Sequence, residues 1–172
     1  MHKRQQADMV SVQATKETEM TSRFANYPSL RGKTVFITGG ASGIGAELVN
    51  TFAEQGAQVG FVDMDITGSE ALLAKLDGTH SFAPCDLRDI EALKTAFADL
   101  EKKLGPAQVL VNNAARDDRH DWRSVTPEYW DERQNNNLRH MFFAIQAVAD
   151  DMIAAGGGSI INMGSNSWWE AG

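Results

Sequence analysis

A single cysteine, Cys85, stands in the 172 residues, which excludes a disulfide within the chain and fits a reducing compartment. Cations are the minority charge: 16 Lys and Arg against 23 Asp and Glu leave a formal net charge of −7. Phosphate-backbone binding needs clustered Lys and Arg, so nucleic acid is excluded as a partner class, and nothing favours an anionic membrane surface. No apolar run approaches the roughly 20 residues that cross a bilayer. The opening stretch MHKRQQADMVSVQATKETEM has a basic start but no apolar segment after it, unlike a secretory signal. The four histidines, His2, His80, His120 and His140, show no metal-ligand spacing, so no metal is expected. These absences predict a cytoplasmic protein with a small-molecule partner.

Hydrophobic residues make up 42% of the chain and charged residues 23%, the ordinary globular mix, and the length suits one domain. Residues 1–26 lack periodicity and read as a flexible extension; residues 27–172 read as the folded domain. From Thr34 onward, short apolar runs alternate with helical periods, the pattern of βαβ units around a parallel sheet with helices on both faces. Strands are expected at Thr34–Thr38, Val59–Val62, Ser81–Ala83, Val109–Val111 and Ser159–Met163. The first helix carries Ile44, Leu48 and Phe52, and the second is expected to start at Ser69 as its cap. Ile90, Leu93, Phe97, Leu100 and Leu104 form one apolar stripe behind the capping Asp89. Thr126-Pro127-Glu128 opens a long helical region with a bend near Asn135–Asn137, stopped by Gly156-Gly157-Gly158.

Between the first strand and the first helix lies Thr38-Gly39-Gly40-Ala41-Ser42-Gly43-Ile44-Gly45. Gly39 permits a sharp turn, Gly43 lets backbone approach a pyrophosphate, and Gly45 lets helix and strand pack closely. The helix start then offers unpaired N–H groups and the positive end of its dipole to phosphate. Asp63 closes the second strand about 20 residues later, where a carboxylate accepts hydrogen bonds from an adenosine ribose. It would repel the 2′-phosphate of NADP, and no Arg stands in Phe61-Val62-Asp63-Met64-Asp65. NAD is the expected cofactor.

The spacing Thr-Gly-x-x-x-Gly-x-Gly resembles the short-chain dehydrogenase/reductase family, and four further stretches agree in order. Asp86-Leu87 is similar to the family's adenine-contacting pair. Asn112-Asn113-Ala114-Ala115 resembles its Asn-Asn-Ala-Gly motif, with Ala115 in place of the usual Gly. Asn137-Leu138 resembles the segment of the active-site Asn, and Gly164-Ser165 that of the catalytic Ser. The resemblance implies a doubly wound Rossmann-type α/β fold and an NAD-dependent oxidoreductase that moves a hydride between cofactor and a hydroxyl or carbonyl substrate. It implies cofactor contacts at Gly39, Ser42, Gly43, Ile44, Gly45, Asp63, Asp86, Leu87, Asn113, Ala114 and Ala115. It also implies that Ser165 hydrogen-bonds the reacting oxygen, that Asn137 orients a catalytic Lys through water, and that the protein self-associates as a dimer or tetramer.

A narrower resemblance, carried by residues 113–120, 129–133, 137–141 and 161–168, is to bacterial sugar 1-dehydrogenases, which oxidise aldoses to lactones. Arg116, Asp117, His120 and Trp168, in loops after the fourth and fifth strands, are the expected substrate contacts. The family's Tyr-x-x-x-Lys base motif follows its catalytic Ser by about a dozen residues. The tyrosines here are Tyr27 and Tyr129, both before Ser165. The chain is therefore expected to be a truncated product, a cleaved chain or part of a longer one. As it stands it is expected to be a nucleotide-binding module without turnover. Cys85 reads as a buried, inert thiol.

Overall fold

A computed structural model describes residues 25–165. All but the last two residues of the amino-terminal extension lie outside this span, as does Trp168. The elements are β1 (Thr34–Thr38), α1 (Gly43–Glu54), β2 (Gln58–Asp63), α2 (Ile66–Leu73), β3 (Ser81–Pro84), α3 (Ile90–Leu104), β4 (Val109–Asn112), α4 (Pro127–Gln134), α5 (His140–Ala154) and β5 (Ser159–Asn162). All strand pairings are parallel, in the order β3-β2-β1-β4-β5. The chain builds outward from β1 through β2 to β3, then returns to the other side of β1 with β4. That reversal leaves a crevice at the carboxyl ends of β1 and β4, the place where open parallel sheets receive ligands.

β1, β2 and β4 are largely apolar and buried because both faces of the sheet are covered there, whereas β5 is exposed along its length. Every residue of β1 is buried, and alternate side chains go to opposite layers. Phe36, Val62 and Leu110 point to a core shared with Leu93, Phe97 and Leu100 of α3 and with Ala144, Val148 and Met152 of α5. Val35, Ile37, Phe61 and Val111 join Val49 of α1 and Leu72 of α2 on the other face. The expected α3 stripe is buried in full, and Asp89 accepts the first-turn amides of Glu91 and Ala92. Thr126 caps α4 through the Tyr129 amide, as its sequence predicts.

One expectation is corrected. The helix α2 starts at Ile66 rather than after Ser69, because Asp65 takes the cap and accepts from the Gly68 amide. Ser69 is then a buried residue within the helix, its hydroxyl donating back to the Asp65 carbonyl. The expected α1 carries Ile44, Leu48 and Phe52, of which Leu48 and Phe52 pack half-buried against the second core. Gly45 and Val49 face the sheet, while Ile44 is 67% exposed. Ile44, Leu48 and Phe52 also line a shallow apolar groove with Tyr27 and Leu30.

The bend near Asn135–Asn137 is a single wide turn of π-helix, Asn135–Arg139, between α4 and α5. Such insertions re-aim side chains within a helix. β5 forms one edge of the sheet, and its Ile160 and Ile161 remain largely exposed. Among the described residues no helix is long and apolar enough to cross a membrane.

His140 opens α5 on the buried row that continues through Ala144, Val148 and Met152. It is fully buried, and neither ring nitrogen has a partner at hydrogen-bond geometry. Burial pushes its pKa below the ordinary 6.5, and the backbone of Asn136 opposes this only in part. The folded state therefore holds a neutral imidazole that the unfolded chain protonates near pH 6.5. Stability attributable to His140 is intact above that pH and erodes as pH falls toward the depressed folded value, by at most about 1.4 kcal/mol per pH unit. Urea unfolding at pH 5.5 and 7.5 should show a larger loss for the natural protein than for His140→Leu. Equal losses would show that His140 is not held neutral.

Candidate functional site

The β1–α1 turn is built by close approach. At Gly39, with φ +71°, a Cβ would stand 2.9 Å from the Ala114 Cα beyond β4. At Gly45 a Cβ would overlap the Gly39 carbonyl and come within 2.7 Å of the Asn113 side-chain nitrogen. Asn113 fastens the turn to the end of β4. Its Nδ2 donates to the carbonyls of Thr38 and Gly39 at 3.1 and 3.0 Å. The Thr38 hydroxyl accepts from the amides of Asn113 and Ala114, both at 3.1 Å. One strand over, the Asn112 Nδ2 donates to Asn162 Oδ1 on β5 at 2.8 Å.

Gly43 has φ +54° and nothing within 4 Å of where a Cβ would point. Ser42 precedes α1 without a side-chain cap bond, so its side chain leaves the first-turn amides unclaimed. An anion approaching this turn thus meets open space, N–H groups and the positive end of a twelve-residue helix. Asp63 forms the wall opposite. Its Oδ2 accepts from the Ala41 amide at 2.9 Å and its Oδ1 from Asp65 at 3.0 Å. These two bonds fix the carboxylate while leaving each oxygen capacity for another donor.

Together these loops bound a cleft of about 510 Å³, within the range of small-molecule sites. Gly39, Ser42, Ile44 and Gly45 contribute from the turn, Asp63 and Met64 from the end of β2, and Cys85 and Leu87 from the loop after β3. Asn113, Ala114, Ala115 and Arg116 follow from β4, and Asn136 from the π turn. Nine of the residues expected at the cofactor therefore converge here. Gly43 borders the turn without lining the cleft. Asp86 also stands aside, because Arg88 holds its carboxylate in a fork with contacts of 2.7–3.1 Å. That guanidinium keeps the Asp86 pKa below the ordinary carboxylate value.

Met64, Cys85 and Asn136 were not expected in the wall. Met64 carried a usable signal, since it directly follows the strand-end acid. Asn136 carried none, because only the π turn decides which of three successive asparagines faces the cleft. Cys85 is buried, and its thiol is pushed up to about 11, first by burial and then by the charges of Asp86 and Asp89. It is inert as a nucleophile at neutral pH.

Asn137 lies just outside the cleft and grips the backbone of Arg116. Its Oδ1 accepts from the Arg116 amide at 2.8 Å and its Nδ2 donates to the Arg116 carbonyl at 3.0 Å. The exposed Arg116 side chain pairs with Asp118 at 2.7 Å and Glu132 at 3.5 Å. Asp117 and His120 are exposed on the same segment and do not line the cleft. Ser165 follows β5 by three residues, at the same end of the sheet. No cluster of His, Cys, Asp or Glu among the described residues is arranged to hold a metal ion.

The model of the short chain dehydrogenase family matches residues 33–168. The chain is 54% identical over 147 residues to a D-xylose 1-dehydrogenase of Caulobacter vibrioides, covering 84% of this chain and 58% of that protein. It is 50% identical over 150 residues to a probable galactose dehydrogenase of Rhizobium meliloti, covering 85% and 59%. The structure matches a short-chain dehydrogenase/reductase variant of Serratia marcescens with a TM-score of 0.75 at 31% identity, over 82% of this chain and 58% of that one. The chain thus spans less than two thirds of the length of these relatives.

Proposed function

The chain belongs to the short-chain dehydrogenase family, and from that premise we propose that it is the nucleotide-binding part of an NAD-dependent oxidoreductase that converts an aldose to its lactone. The observation that carries the cofactor choice is Asp63, a fixed carboxylate in the cleft wall with no cation beside it in residues 61–65. The substrate class rests on the two sugar dehydrogenases that share half or more of the aligned residues.

The site fits a dinucleotide. Open space at Gly43 and the α1 amides suit a pyrophosphate, Asp63 suits the hydroxyls of an adenosine ribose, and Ala114 and Ala115 leave room for the nicotinamide half. Bound there, NAD supplies the acceptor for a hydride from the substrate carbon. Ser165 would donate a hydrogen bond to the substrate oxygen as its charge changes. Asn137 would hold the loop after β4 in place and orient the family's catalytic Lys. Asp86 reaches an adenine only by sharing or releasing Arg88. The reading also includes a cytoplasmic setting and a dimer or tetramer.

A second reading is a nucleotide-binding module without turnover by these 172 residues, in which neither tyrosine lines the cleft. Tyr27 precedes β1, and the Tyr129 hydroxyl is engaged with His120 at 2.8 Å.

Calorimetric titration tests the cofactor choice. NAD should bind at least tenfold more tightly than NADP, the roughly 1.4 kcal/mol that one adverse charge contact exceeds. Asp63→Ala should narrow this gap while NAD still binds. Equal affinities in the natural protein would overturn the choice of NAD.

Turnover separates the two readings. The 172 residues alone should give no NADH above background with xylose, arabinose, galactose or glucose, since a missing general base costs roughly 10²–10⁴-fold. A longer protein that includes them and the Tyr-x-x-x-Lys motif should reduce NAD with at least one aldose, and Ser165→Ala should slow it about 10²-fold or more. Turnover by the 172 residues would overturn the module reading, and a longer protein inactive on every aldose would overturn the sugar assignment.

A further inference from the structure

The segment that follows Ala115 leaves the cleft wall and crosses to α4, and both of its ends converge on one side chain. Arg133 is only 13% exposed and meets four groups. Its Nη1 donates to the Arg116 carbonyl at 3.4 Å, the carbonyl already gripped by Asn137. Its Nη2 pairs with Asp118 at 3.2 Å and with Glu132 at 2.7 Å. Its guanidinium stands 5.0 Å over the Tyr129 ring, and the Tyr129 hydroxyl is hydrogen-bonded to His120. Arg116 begins the segment and His120 ends it, so both are tied to Arg133, the second through Tyr129.

The tethering sorts the side chains by their partners. Arg116 and Asp118, 56% and 43% exposed, are paired with each other and with Glu132 and Arg133. Asp117 and Arg119 point away, 78% and 85% exposed, and meet only each other at 3.2 Å. A lone exposed pair of that kind contributes little to stability. The buried guanidinium differs. Its stem is immobilised, its plane is stacked on an aromatic ring, and its charge is shared by two carboxylates, so loosening it frees several contacts at once.

We propose that Arg133 is a positioning residue that holds residues 116–120 at the mouth of the cleft for substrate discrimination, with Arg116 in the cleft wall and Asp117, Arg119 and the His120 ring exposed beyond it to a polyhydroxylated ligand. A carboxylate that accepts and two cationic or imidazole groups that donate are the complement of adjacent hydroxyls on a sugar. The proposal rests on the dehydrogenase reading above. It assigns substrate selection to a segment fixed from α4, apart from the glycine turn that would hold the cofactor.

Hydrogen exchange and NAD affinity, measured on the natural protein, Arg133→Gln and Arg133→Lys, test the tether first. Arg133→Gln should raise exchange of the 116–120 amides at least tenfold, leave β1 and β4 unchanged and keep the NAD dissociation constant within twofold. Arg133→Lys, which keeps the charge but not the fork, should fall between. Should Arg133→Gln fail to fold, Asp118→Asn removes a partner from the other side and carries the same expectation. Unchanged exchange in residues 116–120, or NAD affinity lost in step with it, overturns the proposal. In the protein that turns over an aldose, Arg133→Gln should raise the sugar KM at least tenfold with kcat within threefold. A fall in kcat at constant KM also overturns it. If no aldose is turned over at all, the sugar assignment fails, and the exchange result still decides the tether.

Discussion

The carboxyl end of this sheet depends on the β1–α1 turn lying closer to β4 than any side chain at two of its positions would permit. Gly39 touches the Ala114 backbone, and Gly45 sits against the Gly39 carbonyl. Asn113 then stitches the turn to β4 by donating to the Thr38 and Gly39 carbonyls. Because the turn is pressed inward, α1 starts directly beneath the crevice and its first amides point into it. The second wall follows from the same closeness, since the Ala41 amide of the turn holds the Asp63 carboxylate in place. Backbone supplies most of this binding surface, which is why small residues dominate it.

The opposite side of the cleft is made differently. After Ala115 the chain has no strand neighbour, and side chains of α4 and the π turn fix it. Asn137 mimics a strand partner, offering one acceptor and one donor to the same residue, Arg116. Ion pairs through Glu132 and Arg133 add to this, and Arg88 approaches Glu132 at 4.0 Å from the loop that carries Asp86. One wall is thus rigid backbone and the other a side-chain lattice. Substitutions on the two sides should have distinguishable consequences, as the free energies of well-separated sites are close to additive.

Much of the fold was legible because its signals are local and mutually consistent. The apolar run of β1, the Asp89 cap with its five-residue stripe, and Thr126-Pro127 each specify one outcome, and the structure has it. Legibility failed where two local choices compete. Asp65 and Ser69 are both good caps four residues apart, and the earlier one wins because it lies at the strand end, where its backbone is already extended. Within the candidate site, the glycines and Asp63 could be read from spacing, and Asn113 from the family resemblance. The pairing of Arg116 with Glu132 and of Asp118 with Arg133 could not, because ion pairs across 16 and 15 residues leave no periodic trace.

Calorimetric titration of NAD into the natural protein and its Gly43→Val variant tests most directly whether the turn is a pyrophosphate seat. A valine there projects into the open space that the phosphates would need, at a positive φ whose strain costs about 1–2 kcal/mol and should leave the fold intact. Binding by the natural protein, and its loss in the variant with an unchanged circular dichroism spectrum, is the expected result. Equal NAD affinity in the two proteins would contradict it.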